Sequence, residues 1–307
     1  MKYTIPNGVY PAMITPYTKE NEVDYRALEA MIEWYIHNGV DGLFAVCQSS
    51  EMQQLSLEER IGIARFVKEK STGRATVVAS GHISDDIADQ IYELKAMRDT
   101  GIDALVIISN RLAKKEENDE VWKRNAEKIW KAVSDIPLGL YECPSPYHRL
   151  MSPELLKWCA ETGRFVFLKD TCCNLGKLQE KTKAVQGTNL KIYNAQAASL
   201  LESLRLGCAG FSGIMANFHP ELYVWLTRNW EKENDKAEIL QNFLGMASWA
   251  ESQKYTINAK YHMQLERLPV ELYSRTKDYK EFRESDRIRV RQMNQFTRGF
   301  MDKWLDL

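Results

Sequence analysis

Short apolar runs alternate with amphipathic stretches along this chain. Eight runs, at 9–15, 42–47, 75–80, 104–109, 137–142, 165–170, 191–195 and 209–213, are rich in branched and aromatic residues. Polar or glycine-bearing turns bound them, which is the pattern of buried strands. Between them, 24–37, 57–69, 85–100, 121–133 and 153–160 carry apolar residues at helical spacing. Ser56 before Leu57-Glu58-Glu59 and Ser152 before Pro153-Glu154 are N-caps with acids in the first turn. Gly39, Gly73, Gly101, Gly163 and Gly187 each follow a helical run, where a left-handed C-cap favours glycine.

Eight strand–helix units joined by right-handed crossovers predict an α/β fold, the (β/α)8 TIM barrel. A doubly wound sheet binding a dinucleotide needs a glycine-rich turn after its first strand, and here that turn reads Thr15-Pro16-Tyr17. Past about residue 230 the strands stop. Helical patterns at 235–251, 255–265 and 283–304 predict a C-terminal helical extension, so the chain divides into a barrel over 1–230 and a helical region over 231–307.

Active sites of such barrels lie at the C-terminal strand ends. That rule gathers Thr15, Cys47 to Glu51, His82, Asn110, Tyr141 to Cys143, Lys169 to Cys173, Gln196, Ser212 and Gly213 at one mouth. Lys169 ends the apolar run Phe165-Val166-Phe167-Leu168. Burying an ammonium is unfavourable, so this amine is expected to be partly neutral or tightly paired. A neutral amine can attack a carbonyl and form a Schiff base. Tyr141, ending the neighbouring fifth run, could carry protons, and the hydroxyls and N–H groups of Ser49-Ser50 could hold a carboxylate.

These motifs together resemble the dihydrodipicolinate synthase/N-acetylneuraminate lyase family of Schiff-base aldolases. Gly8-Val9-Tyr10-Pro11 through Thr15-Pro16-Tyr17 is similar to the family's opening strand. Cys47-Gln48-Ser49-Ser50-Glu51 sits where the family has Gly-Thr-Thr-Gly-Glu, and Tyr141-Glu142-Cys143-Pro144 resembles its Tyr-Asn-x-Pro. Phe167-Leu168-Lys169-Asp170 matches the strand bearing the Schiff-base lysine, and 207–213 resembles the eighth-strand segment. The resemblance covers about residues 8 to 230 and implies catalysis by Lys169, Tyr141 and Ser49. Gln48, Ser50, Thr15, Ser212, Gly213 and His148 would contact a small 2-oxo acid such as pyruvate. It also implies no cofactor and no metal, the lysine imine serving instead, and a homotetramer or homodimer.

The chain departs from the pattern where a second substrate would bind. Gln48 replaces a threonine or serine, and Ser50 replaces a glycine. Pro146 stands where dihydrodipicolinate synthases carry an arginine for a second carboxylate, leaving His148 and Arg149 nearest. Asn110-Arg111 occupy the stretch from which those enzymes lend a tyrosine across an interface. A lyase or dehydratase of another 2-oxo acid is therefore favoured over dihydrodipicolinate synthase itself. A relative that binds 2-oxo acids without turnover, and a metal-dependent barrel aldolase using rim cysteines, are the other readings.

Composition narrows the partners. A net charge of −1 over 307 residues offers no nucleic-acid or membrane-surface partner, and the basic run Arg287 to Arg291 is interleaved with acids, as on a solvated helix face. No stretch reaches the roughly 20 apolar residues of a membrane span, and residues 1–6 lack the apolar core of a secretory leader, so a cytoplasmic location is expected. Six cysteines without a Cys-x-x-Cys pair argue against a disulfide framework or structural zinc. Cys47, Cys143, Cys172 and Cys173 are expected as small fillers of the barrel rim, His82 as a structural histidine, and Trp122, Trp130, Trp158 and Trp225 as helix-packing residues.

Overall fold

The computed structural model of the chain describes residues 3–304. Among these, eight parallel strands form one sheet: β1 (Gly8–Val9), β2 (Gly42–Phe44), β3 (Thr76–Ala79), β4 (Ala104–Ile108), β5 (Leu138–Tyr141), β6 (Phe165–Asp170), β7 (Lys191–Asn194) and β8 (Gly210–Phe211). Their spatial order is β1-β8-β7-β6-β5-β4-β3-β2. The ends meet where Ala12 bridges Phe44: Phe44 N donates to Pro11 O, and Met13 N donates to Phe44 O. This is the predicted (β/α)8 barrel. The ladders are shorter than most of the apolar runs, because residues beyond the last ladder bond bend into the loops of the mouth. The run 42–47, for instance, leaves the sheet at Phe44, and Cys47 already opens a 3-10 turn over Gln48–Ser50.

Two glycines let the barrel close. A Cβ on Gly42 would lie 2.0 Å from the Tyr10 ring, and one on Gly210 would lie 1.8 Å from Gly8 O, where β8 crosses close to β1. Inside, Phe167 stacks on Tyr193 at 4.9 Å, Tyr193 meets Tyr10 at 4.8 Å, and Phe44 meets Phe167 edge-on at 5.8 Å. Side chains two apart on a strand share a face. Lys169 therefore stands one layer above Phe167 on this aromatic floor.

Helices α1 (Tyr25–His37), α2 (Leu57–Ser71), α3 (Ile87–Arg98), α4 (Asp119–Ala132), α5 (Pro153–Glu161), α6 (Leu175–Ala184), α7 (Leu200–Arg205) and α8 (Pro220–Asn229) form the outer layer. Ser56 caps α2 in a reciprocal box: its Oγ accepts from Glu59 N at 3.1 Å, and Glu59 Oε2 accepts from Ser56 N at 2.8 Å. Ser152 caps α5 through Leu155 N. Helix α4 starts two residues before the predicted run, because Asn118 Oδ1 accepts from both Glu120 N and Val121 N. The tryptophans pack as expected, Trp130 stacking on Trp158 at 4.9 Å.

The C-terminal helices are α9 (Asn234–Ala247), α10 (Ile257–Leu265) and α11 (Glu284–Trp304). The predicted 235–251 helix is broken: α9 stops at Ala247, and Ser248–Ser252 winds on as a 3-10 turn. Gln241 ties α9 to the barrel, accepting from Leu201 N at 2.8 Å and donating to Ala197 O at 3.0 Å. Phe243, Leu244, Ala259, Met263 and Phe300 belong to the barrel's own apolar core. This continuity brings the loops after α9 and α10 over the mouth. Among the described residues, no helix is long and apolar enough to cross a membrane.

Candidate active site

Lys169 on β6 is paired in register with Tyr141 on β5, and each is only 3 % exposed. The amine lies 4.8 Å from the centroid of the Tyr141 ring and 5.6 Å from that of Phe44. Burial holds its pKa below the ordinary lysine value, against the opposing pull of Cys47, Cys143 and, more weakly, Glu251. Burial also raises the Tyr141 phenol well above its usual value, with Cys143 and Cys47 adding to the effect. The pair is thus an amine biased toward its neutral, nucleophilic form beside a phenol that keeps its proton.

The turn after β2 forms the adjoining wall. Ser50 Oγ accepts from Cys47 N at 2.9 Å and donates to Cys47 O at 2.6 Å, while Ser50 N donates to Cys47 O. Thr15 Oγ1 donates to Ser50 O at 2.8 Å. Ser50 and Thr15 therefore shape this turn rather than line the cavity, whereas Gln48 and Ser49 do line it. Cys143 donates its thiol to Gln48 Oε1 at 3.3 Å, so the glutamine occupying the family's threonine position is held against the tyrosine loop. Ser212 Oγ donates to Tyr10 O at 3.0 Å, and Gly213 packs where a Cβ would meet Phe211 and Ala195 O. Neither lines the cavity. His148 lines the outer mouth and shares a hydrogen with Thr171 Oγ1 at 2.7 Å; burial lowers its pKa, helped by the charge of Lys181.

Behind the Lys169–Tyr141 pair lies a buried ion cluster that sequence reasoning missed. Side chains alternate along the strands, so Glu142 and Asp170 face away from the barrel interior. Between them sits Lys181 of α6, its Nζ 2.5 Å from Glu142 Oε1 and 2.5 Å from Asp170 Oδ2. Glu142 also accepts from Met151 N at 2.7 Å and Thr171 N at 3.0 Å. Burial, then the charge of Asp170, pushes the Glu142 carboxyl up to about 7 despite Lys181. Lys181 itself is raised, its two carboxylates outweighing its burial. At the end of β4, Asn110 Nδ2 donates to Cys143 O at 2.7 Å, Ser145 O at 3.0 Å and Tyr147 O at 2.5 Å, pinning the loop that follows Tyr141. The segment that departs from the family pattern thus serves the tyrosine loop. His82 is structural, as expected: Nδ1 meets Gln90 Oε1 at 3.0 Å, and Nε2 accepts from Ile108 N at 2.7 Å.

The helical extension supplies the remaining wall. Ser248, Glu251, Tyr255, Thr256, Thr276 and Lys277 line a cavity of about 780 Å³ together with Lys169, Tyr141 and the Gln48–Ser49 turn. Glu51 fastens this wall. Its Oε2 accepts from Arg275 N at 2.6 Å, Thr276 N at 2.9 Å and Ser274 Oγ at 3.0 Å, and its Oε1 lies 3.6 Å from the fully buried Lys260 Nζ. Burial brings Lys260 down to about 8, with Glu51 opposing. The Tyr255 phenol accepts from Asn217 Nδ2 at 3.0 Å, and burial raises its pKa well above the usual value, with the neighbouring Ser49 hydroxyl opposing. Arg149, the arginine nearest to the family's second-carboxylate position, is committed elsewhere: its guanidinium donates to Lys114 O, Glu117 O and Asp119 Oδ1. Among the described residues, no three His, Cys, Asp or Glu side chains come together as metal ligands.

Fold and mouth together define a (β/α)8 barrel built around a buried lysine–tyrosine pair. The chain belongs to the dihydrodipicolinate synthetase family, which it matches over residues 5–292. It is 28% identical over 218 residues to the 4-hydroxy-tetrahydrodipicolinate synthase of Methanococcus maripaludis strain C6, covering 71% of this chain and 73% of that protein. It is 26% identical over 281 residues to the probable 2-dehydro-3-deoxy-D-pentonate aldolase YjhH of Escherichia coli K12, covering 87% and 89%. Among solved structures, YagE of Escherichia coli K12, crystallised in complex with pyruvate, superposes with a TM-score of 0.85 at 23% identity, covering 94% of this chain and 97% of that one. At that identity the superposition speaks for the fold.

Proposed function

We propose that the protein is a Schiff-base-forming lyase that cleaves, condenses or dehydrates a 2-oxo acid, with pyruvate as substrate or product. The observation that carries this is the buried Lys169 amine facing Tyr141 across two adjacent strand ends. The neutral amine attacks C2 of the oxo acid, and loss of water from the carbinolamine leaves the imine. Tyr141 gives the departing hydroxyl its proton and returns protons during bond cleavage or formation at the adjacent carbon. The imine nitrogen then draws the electron pair of the breaking bond, and hydrolysis frees Lys169. Ser49 Oγ and the N–H groups of Gln48 and Ser49, which the internal bonds of the turn do not use, hold the carboxylate.

The commitment of Arg149 and the proline at position 146 favour a substrate that does not rely on an arginine for a second carboxylate. Cleavage of a panel of 2-oxo acids, read as pyruvate release, tests the proposal. Release by the wild type and none by Lys169→Met supports it. Release that survives Lys169→Met refutes it.

A further inference from the structure

Glu251 lines the cavity, yet no hydrogen bond or ion pair to its side-chain carboxylate forms among the described residues. Its Oε1 is buried and unpartnered. The other carboxylate of the lining, Glu51, is saturated by Ser274, Arg275 and Thr276. Lys277, the cation that the same region brings to the mouth, gives its ammonium to Tyr255 O. A carboxylate oxygen withdrawn from water without a partner is unfavourable and calls for an explanation, such as a ligand that the site receives. Burial pushes Glu251 up to about 7, against the charge of Lys169, so at slightly alkaline pH it is an anion free to accept hydrogen bonds. The titratable groups that feel it are Lys169, Tyr223, Tyr255 and Cys173.

The 2-oxo acid end of a substrate is accounted for by Lys169, Tyr141 and the Ser49 turn. Glu251 stands on a different wall, the one supplied by the Ser248–Ser252 turn. Resting on the imine reading, we propose that Glu251 determines specificity: it accepts a hydrogen bond from a hydroxyl on the part of the substrate beyond the 2-oxo acid end and repels a carboxylate there. The preferred partner of the pyruvate imine is then a hydroxylated aldehyde rather than an alkyl or acidic one.

The test is aldol addition of pyruvate to glyceraldehyde, butanal and succinic semialdehyde by the full chain, Glu251→Gln and Glu251→Ala, at a pH above the Glu251 value of about 7. The kcat/KM ratio of glyceraldehyde to butanal should fall roughly tenfold to a hundredfold in both variants, the loss expected for one charge-assisted hydrogen bond. Succinic semialdehyde should gain on butanal once the charge is removed. Each ratio is taken within one protein, so a reduced folded fraction does not move it. An unchanged glyceraldehyde-to-butanal ratio overturns the proposal. So does failure to use glyceraldehyde by a wild type that still forms a borohydride-trapped pyruvate adduct. Absence of that adduct would instead refute the imine reading.

Discussion

Replacing Lys181 by methionine probes how the strand ends bearing Tyr141 and Lys169 are held. The ammonium is 2 % exposed and lies 2.5 Å from each of two carboxylates that are at most 1 % exposed. Methionine fills similar space but leaves Glu142 and Asp170 facing each other uncompensated. Removing one member of a buried ion pair costs about 3–5 kcal/mol, and two carboxylates sharing one cation place this site toward the upper end. The sign with pH follows from protonation. Glu142 at about 7 in the folded chain lies above the unfolded value of about 4.3, so the native state holds the proton more tightly across that window. Its contribution is fully present below the unfolded value and is lost as pH rises through about 7. Without Lys181, which opposes that rise, the Glu142 carboxyl moves higher still, so the deficit of the variant should be largest in alkali and shrink on acidification. Urea unfolding followed by tryptophan fluorescence, compared at one slope, reads this directly. A variant within about 0.5 kcal/mol of wild type above neutrality, or a deficit that widens in acid, would refute the reasoning.

Ser56→Ala removes the cap from α2 and should lower stability by about 1 kcal/mol in the same titration; an unchanged midpoint would show the box to be dispensable. Asn110→Ala leaves the carbonyls of Cys143, Ser145 and Tyr147 without their donor, with a loss of about 1–3 kcal/mol. It should also lower turnover through Tyr141, whereas full activity would uncouple the loop from catalysis. Tyr141→Phe should lower turnover by about 10²–10⁴-fold while pyruvate still binds, and wild-type rates would remove the phenol from the mechanism. Imine formation should accelerate as pH rises through the Lys169 pKa, with its half-rise below the ordinary lysine value of about 10.4. A half-rise at that value would contradict the effect of burial.

The barrel was legible in the sequence because every strand is an apolar run and the helices carry explicit caps such as Ser56 and Ser152. Lys169 was legible for a related reason: an amine at the end of a buried strand is out of place unless chemistry or pairing keeps it there. Ser50 illustrates the limit. Its hydroxyl looks equivalent to that of Ser49 in a linear reading, but the 3-10 turn folds it back onto Cys47. The Glu142–Lys181–Asp170 cluster was hidden because its members lie on three elements and look like ordinary charged residues. Glu251 and Tyr255 were hidden for another reason: their helical region reads as an appendage, and nothing local says that its turns close over the mouth. The outward alternation of Glu142 and Asp170 beside Tyr141 and Lys169 was the one signal available, since two strand carboxylates facing the helix layer require a cation.

The most direct measurement is borohydride reduction of the protein in the presence of pyruvate, followed by peptide mapping by mass spectrometry. The account predicts one covalent adduct, on the peptide containing Lys169, absent without pyruvate and absent in Lys169→Met. No adduct, or an adduct on another lysine that persists in Lys169→Met, would contradict it.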